Sequence, residues 1–133
     1  MVVWGGYDPP VPLTPEWLQG EFRARSRAYF VLAGPDDAPL ALVGMRRHLR
    51  QSRVHLIRVG VAPDHRGQGL VGRVIEAVAS VARLGGAERL TLKVFGSNAS
   101  AIRAYEKARF KRFGTVATAD DPSGVVVRMR RRL

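Results

Sequence analysis

The 133-residue sequence has no cysteine. That excludes disulfides, thiolate metal sites and a cysteine nucleophile together, and it is compatible with a reducing, cytoplasmic setting. No apolar run approaches the ~20 residues that a membrane-spanning helix needs. Met1 to Pro10 lack the basic segment and apolar stretch of a secretion signal, so none is expected. Acidic side chains are scarce, 11 against 22 basic ones, for a formal net charge of +11. Nineteen of the basic residues are arginine and three are lysine. From Leu40 to Ala62 there are five arginines (Arg46, Arg47, Arg50, Arg53, Arg58), two histidines and no acid, and the chain ends Arg128-Met129-Arg130-Arg131-Arg132-Leu133. Such a field favours anionic ligands and acidic acceptors and can draw nucleic acid; for the C-terminal run, a solvated basic surface is an equally good explanation.

The length suits one domain, residues 1–133, able to bury its own core. Thr14-Pro15-Glu16-Trp17 places an N-cap residue before a proline and opens a helix running to about Arg27. Strands are expected at 28–33, 40–49 and 54–61, the last two joined through Arg50-Gln51-Ser52-Arg53. From Leu70 to Leu84, Val71, Val74, Ile75, Val78 and Ala82 recur at helical spacing, and Gly85-Gly86 closes the helix. A strand at 90–95 follows. A short helix capped at Ser97-Asn98 then carries Ala101, Ile102, Tyr105 and Ala108. Strands at 111–117 and 125–129 flank the Asp120-Asp121-Pro122-Ser123-Gly124 turn. The order predicts an α/β (α+β) domain with a mixed, mostly antiparallel twisted sheet flanked by helices.

Between the strand 54–61 and the helix 70–84 lies Val61-Ala62-Pro63-Asp64-His65-Arg66-Gly67-Gln68-Gly69-Leu70-Val71-Gly72-Arg73. Main-chain N–H groups in such a turn and in the first helical turn have no partners of their own. With the helix dipole they make an anion site, and glycines let a ligand reach the backbone. Gly67 to Gly72 reads G-x-G-x-x-G, the dinucleotide-binding pattern. That reading fails on context. Pro63 to Arg66 separate the first glycine from its strand, Glu88 opens its strand instead of ending it, and the 38 residues after Phe95 are too few for a doubly wound sheet.

The same residues, Val61-x-Pro63-x-x-Arg66-Gly67-x-Gly69-Leu70, resemble the acetyl-coenzyme A loop of the GNAT superfamily of N-acetyltransferases. A second motif follows in the order this resemblance requires, Asn98-x-x-Ala101-x-x-x-Tyr105-Glu106-Lys107-x-x-Phe110. Together with their strands the two cover about residues 28–133. The sequence departs from the family pattern at Val71, where Gly or Ala is preferred, and at Arg109, which replaces the usual Gly before Phe110. The family's first strand is short or missing unless Val2-Val3-Trp4 supplies a stub, and a second subunit of a homodimer would then complete the acceptor site.

The resemblance implies acetyl-CoA as co-substrate, no metal, and direct attack of a primary amine on the thioester. It implies that amides of Gly67, Gln68, Gly69, Leu70, Val71 and Gly72 cradle the pyrophosphate, with Arg66 and Arg73 adding charge. Val59, Gly60 and Val61 would pair with the pantetheine arm along a strand splayed from its neighbour, Gly60 marking a bulge or a close approach. Asn98 caps a helix and touches the same arm, and Tyr105 is the general acid toward the departing thiolate. The general base goes unassigned. Arg58 stands where the family often keeps a carboxylate, alternation puts His55 on the opposite side of the strand from Arg58, and Glu16 or Glu21 would act only through water. The acceptor expected is therefore an amine of low pKa: a protein N-terminus, an amino sugar or a small amino compound, with Arg58 and its neighbours favouring one that carries a carboxylate or phosphate. No membrane and no nucleic acid partner belong to this reading. Its alternative is a non-catalytic module that holds coenzyme A or nucleic acid.

Overall fold

Buried and exposed side chains alternate along the strands, and this decides which face of the sheet each residue serves. In the computed structural model, which describes residues 2–4 and 27–133, seven strands form one sheet. They are β1 (Val2–Trp4), β2 (Arg27–Ala33), β3 (Pro39–His48), β4 (Arg53–Val61), β5 (Arg89–Phe95), β6 (Lys111–Ala117) and β7 (Val125–Arg132), in the spatial order β1-β2-β3-β4-β5-β7-β6. All neighbours are antiparallel except β4 and β5. A parallel pair needs a crossover, which helix α1 (Leu70–Leu84) supplies. Helix α2 (Ala99–Lys107) leads from β5 to β6.

The expected elements are present, with shifted edges. The N-terminal helix expected at 14–27 lies outside the described residues except for Arg27, which belongs to β2. The strand expected at 40–49 ends at His48, and Leu49–Gln51 form a short 3-10 turn. Val2–Trp4 does form a three-residue strand, paired antiparallel with β2. The final strand runs on to Arg132, three residues beyond the expectation. Its residues alternate in period two: Val127, Met129 and Arg131 are buried, while Arg128, Arg130 and Arg132 are exposed. The arginine-rich end is thus strand and not simply solvated tail, and Arg131 is part of the interior.

The core lies between one sheet face and the helices. Phe30, Val43, Val54, Leu90 and Met129 point from the strands toward Val74, Ile75 and Val78 of α1, all nearly inaccessible. Fully burying one such side chain contributes about 1.5–3 kcal/mol. Among the described residues, no helix is long and apolar enough to cross a membrane.

One irregularity shapes everything downstream. Between β3 and β4 the register passes from Met45↔Leu56 to Gly44↔Arg58, so Ile57 has no partner and β4 bulges there. Gly44 makes room for it: a Cβ at that position would come within 2.9 Å of the Ile57 side chain and 2.8 Å of the Tyr29 ring. The bulge sits at Ile57; of the two expectations for Gly60, a bulge or a close backbone approach, the bulge is not found there. It also breaks simple alternation. His55 pairs with Arg46 and Arg58 pairs with Gly44, and Arg46 and Gly44 share a face of β3. His55 and Arg58 therefore lie on the same face, not on opposite ones.

Candidate active site

Past the bulge, β4 leaves β5. The two pair only from Arg53↔Arg89 to Leu56↔Leu92, while β4 stays on β3 as far as Val61↔Ala41. A gap opens between their C-terminal halves. Ala62 donates its N–H to Leu40 O at 2.8 Å, on the β3 side. Main-chain groups alternate sides along an antiparallel strand, so those of Val59 and Val61 turn toward the gap.

Beside this gap is a cleft of about 700 Å³. Val59, Gly60 and Val61 form its floor, the turn from His65 to Gly72 one wall, and α2 the other. Gly67 and Gly69 adopt left-handed φ values of +80° and +74°, which favour glycine at both positions. A Cβ added at Gly60, Gly67, Gly69 or Gly72 would meet nothing within 4 Å. These glycines are not required by packing; they leave bare backbone facing open space. Helix α1 starts at Gly69 with no side-chain cap and no acid in its first turn, and its first bond is Arg73 N–H to Gly69 O at 3.3 Å. Its leading N–H groups are free for an outside acceptor.

Eleven of the thirteen residues expected at the cofactor site line the cleft; Gln68 and Arg73 do not, and both are exposed. Asn98 caps α2, accepting from Ala101 N–H at 3.3 Å. Tyr105 is 9% exposed, and its ring meets Phe110 edge-on with centroids 6.1 Å apart. Its hydroxyl has no hydrogen-bond partner among the described residues, yet it is not sealed from solvent. Burial raises its pKa above the ordinary phenol value, so the hydroxyl stays a neutral donor.

The far wall holds residues that motif reading passes over. Arg103 and Lys107, four apart on α2, bring two cations to the cleft, and Ala101, Ala104 and Ala108 keep it wide. Their i, i+4 spacing beside Tyr105 is the signal that finds them. Among the described residues, the cleft lining contains no carboxylate. Glu16 and Glu21 lie outside the described residues.

The loop ahead of α2 is held from across the sheet. Asp121 accepts hydrogen bonds from the hydroxyls of Ser123 and Ser97 and from Ser97 N–H, and these contacts hold its pKa below the usual carboxylate value. Gly96 sits where a Cβ would come within 2.6 Å of Ser123 Oγ. At the other end of α2, Arg109 adopts φ +72° at the very position where the family motif has glycine. The bonds Arg109 N–H to Glu106 O and Phe110 N–H to Tyr105 O close the helix around it.

His55 lies on the other face of the sheet from the cleft floor, with Nδ1 2.8 Å from Thr91 Oγ1. Burial first, then the charges of Arg53, Lys93, His48 and Arg46, lowers its pKa to about 4. Unfolded, its pKa is ~6.5, so between those values the unfolded chain binds a proton that the folded chain does not. Stability from this site is therefore complete above pH 6.5 and falls as pH drops toward 4. We expect His55→Gln to flatten that part of the curve by up to ~1 kcal/mol per pH unit, read by chemical denaturation at pH 7.5, 5.5 and 4.5. An unchanged slope would mean that His55 titrates alike in both states.

A splayed parallel pair, a glycine-lined turn at a helix start and an asparagine-capped second helix together define the site. A family model described as the acetyltransferase (GNAT) family matches residues 3–110. The chain belongs to that family. No curated protein sequence matches it significantly. Solved GNAT structures do. The nourseothricin acetyltransferase is 26% identical with a TM-score of 0.74, the alignment covering 82% of this chain and 66% of that protein. The chain thus spans just under two thirds of that relative's length. The ribosomal-protein-S18-alanine N-acetyltransferase from Escherichia coli is 23% identical, TM-score 0.71, with coverage of 85% and 75%. The spermidine/spermine N-acetyltransferase SpeG from Vibrio cholerae is 18% identical, TM-score 0.71, with coverage of 88% and 71%. At the last two identities the likeness is one of fold, and the GNAT fold is what this chain has.

Proposed function

We propose that this GNAT-family protein transfers an acetyl group from acetyl-CoA to a primary amine of low pKa, by direct attack within a ternary complex in the cytoplasm. The observation that carries the reading is the bared backbone of the cleft: four glycines opening on empty space and an uncapped helix start, continuous with the unpaired edge of β4. The residues present fit a long, phosphate-bearing acyl carrier. The amides of Gly67 to Gly72 and the Arg66 side chain would hold its diphosphate, with Arg103 and Lys107 as further cations. Arg73 and Gln68, turned outward, contribute less. The edge at Val59 and Val61 would pair with its pantetheine arm as an added strand does.

The carrier supplies an activated thioester. The amine nitrogen forms a C–N bond to the acetyl carbon, and the C–S bond breaks. The Tyr105 hydroxyl hydrogen-bonds the departing sulfur and passes it a proton, the nitrogen gives up its own proton to water, and the phenolate recovers one from water. The Val61 N–H would polarise the carbonyl. Holding both reactants supplies up to ~7–11 kcal/mol of the barrier reduction.

With no carboxylate among the described residues that line the cleft, the amine arrives neutral in this reading. At pH 7 an α-amine with pKa ~8 is about ten per cent neutral, whereas a lysine amine with pKa ~10.4 is neutral below 0.1 per cent, a difference of about 3 kcal/mol. Release of free thiol from acetyl-CoA should therefore be fastest with peptide N-termini, amino sugars and small acidic amino compounds. Rates with lysine side chains should rise about tenfold per pH unit. Preference for internal lysines at pH 7 would require a general base and overturn the acceptor assignment. Acetyl-CoA binding with no thiol release from any amine would make the protein a coenzyme A-holding module.

A further inference from the structure

The two faces of the sheet differ sharply. One carries the core and both described helices. On the other, cross-strand register gathers basic side chains from segments far apart in sequence. His48, Arg53, Arg89 and Arg132 make one row from β3 to β7. Arg46, His55, Thr91, Arg130 and Lys111 make the next, and Lys93 opposite Arg128 a third. On the β5–β7–β6 half, Arg89, Lys93, Lys111, Arg128, Arg130 and Arg132 are all exposed. No acid occupies these rows. The ion pairs among the described residues, Glu76 with Arg109 and Arg131 and Glu106 with Arg112, involve none of their members.

Like charges directly opposite one another destabilise a sheet. Here Arg89 faces Arg132, Lys93 faces Arg128 and Lys111 faces Arg130, and none of the six is in an ion pair among the described residues. The crowding registers on the neighbours: after burial, the charges of Arg89 and Arg128 help lower the pKa of Arg53. Phe113, half-buried, fixes two of the cations, with the guanidinium carbons of Arg128 and Arg130 at 4.5 and 5.2 Å from its ring centre. Along β7 successive same-side cations stand ~6.8 Å apart and adjacent strands ~4.8 Å apart. The following row, Phe95, Val126 and Val116, is apolar, with Phe95 and Val116 about half exposed.

From this juxtaposition we propose that the open face of β5, β7 and β6 binds single-stranded nucleic acid, its phosphates on the arginine grid and a base against Phe95. A basic track bordered by an exposed aromatic ring is what such strands need, since every phosphate is anionic and every base has a stackable face. An acidic protein would use the cations and leave the ring idle. In the linear sequence these charges sit in separate segments whose basic field suits anionic ligands in general; only the register sets them side by side on one face. The surface lies across the sheet from the cleft, and its function does not depend on acetyl transfer.

The test is fluorescence anisotropy of a labelled single-stranded RNA and a DNA of the same sequence with the full chain. With about four phosphates neutralised, affinity should fall roughly 50-fold from 50 to 200 mM salt. Arg128→Glu/Arg130→Glu should weaken binding at least tenfold and shrink the salt slope. It replaces like-charge pairs with opposite ones, so its melting temperature should not fall. Phe95→Ala should cost about tenfold. Arg83→Glu, on the exposed side of α1, should change binding less than twofold. Photo-crosslinking of a thiouridine-substituted strand to the unaltered protein should map to β5–β7 peptides, which keeps the test independent of variant folding. No binding at 50 mM salt, equal loss with Arg83→Glu, or crosslinks confined to the cleft would overturn the proposal. So would tight binding to anionic vesicles with none to the oligonucleotides.

Discussion

Tyr105→Phe should leave acetyl-CoA affinity intact and lower kcat by ~10²-fold, with ~10⁴ as the ceiling for a lost proton donor. The substitution removes one oxygen and nothing else. The ring keeps its edge-on contact with Phe110, and because the hydroxyl has no partner among the described residues, none of them is orphaned. Folding stability should be unchanged, which separates a chemical role from a packing one. Burial sets the character of the donor. A phenol whose pKa lies above the usual ~10, facing a thiolate whose conjugate acid has pKa ~8.5, gives up its proton against a gradient. Its contribution should resemble a hydrogen bond that strengthens as sulfur becomes negative. The kcat profile should then show no basic limb from this group below pH ~10. An unaltered kcat would reduce Tyr105 to a wall of the cleft and leave the proposed reaction without its acid.

The parts of this site that can be read from sequence are those whose signals are local. The Arg66–Gly72 turn needs only a strand before it and a helix after it, and Asn98 and Tyr105 share one helix with fixed spacing. Arg103 and Lys107 are equally local, but isolated basic residues on a helix look like solvated surface. The rest depends on register, which no local pattern encodes. The bulge at Ile57 is set by Gly44 thirteen residues earlier, and it alone moves His55 and Arg58 onto one face. The basic grid arises because β4, β5, β7 and β6 lie side by side, an order the sequence shuffles. Arg131 is an intermediate case. The period-two pattern of Val127, Met129 and Arg131 is visible in the sequence, but a run of arginines reads as surface until something buried is known to receive one of them.

Glu76 receives it, and Glu76→Ala should be the most destabilising of these substitutions. The Arg131 side chain is 2% exposed. Its guanidinium donates to Glu76 Oε1 at 2.6 Å, to Oε2 at 3.3 Å and to the Ala108 carbonyl at 3.3 Å. Removing the carboxylate leaves a buried cation with one neutral acceptor. Breaking a buried pair in this way costs ~3–5 kcal/mol, and because Glu76 is half exposed and water can enter, the lower end applies. A loss of ~3 kcal/mol lowers the melting temperature by ~10 °C. Arg109, which reaches the same Oε1 at 3.3 Å but is 68% exposed, adds little. Glu76→Ala with Arg131→Met should recover most of the loss, since the charge that needed a partner is gone. The pH dependence has a definite sign. The hydrogen bond from Arg131 is the largest of the effects that pull the Glu76 pKa down, against a smaller opposing effect of burial. Its stabilisation is complete above the unfolded carboxyl pKa of ~4.3 and is lost as pH falls through the lower folded value, a loss that Glu76→Gln should not show. The same contact joins β7, α1 and the end of α2, so the wall carrying Tyr105 should loosen and acetyl-CoA should bind more weakly in Glu76→Ala. A melting shift under 2 °C would mean that water reaches Arg131 freely and that this wall is held by apolar packing alone.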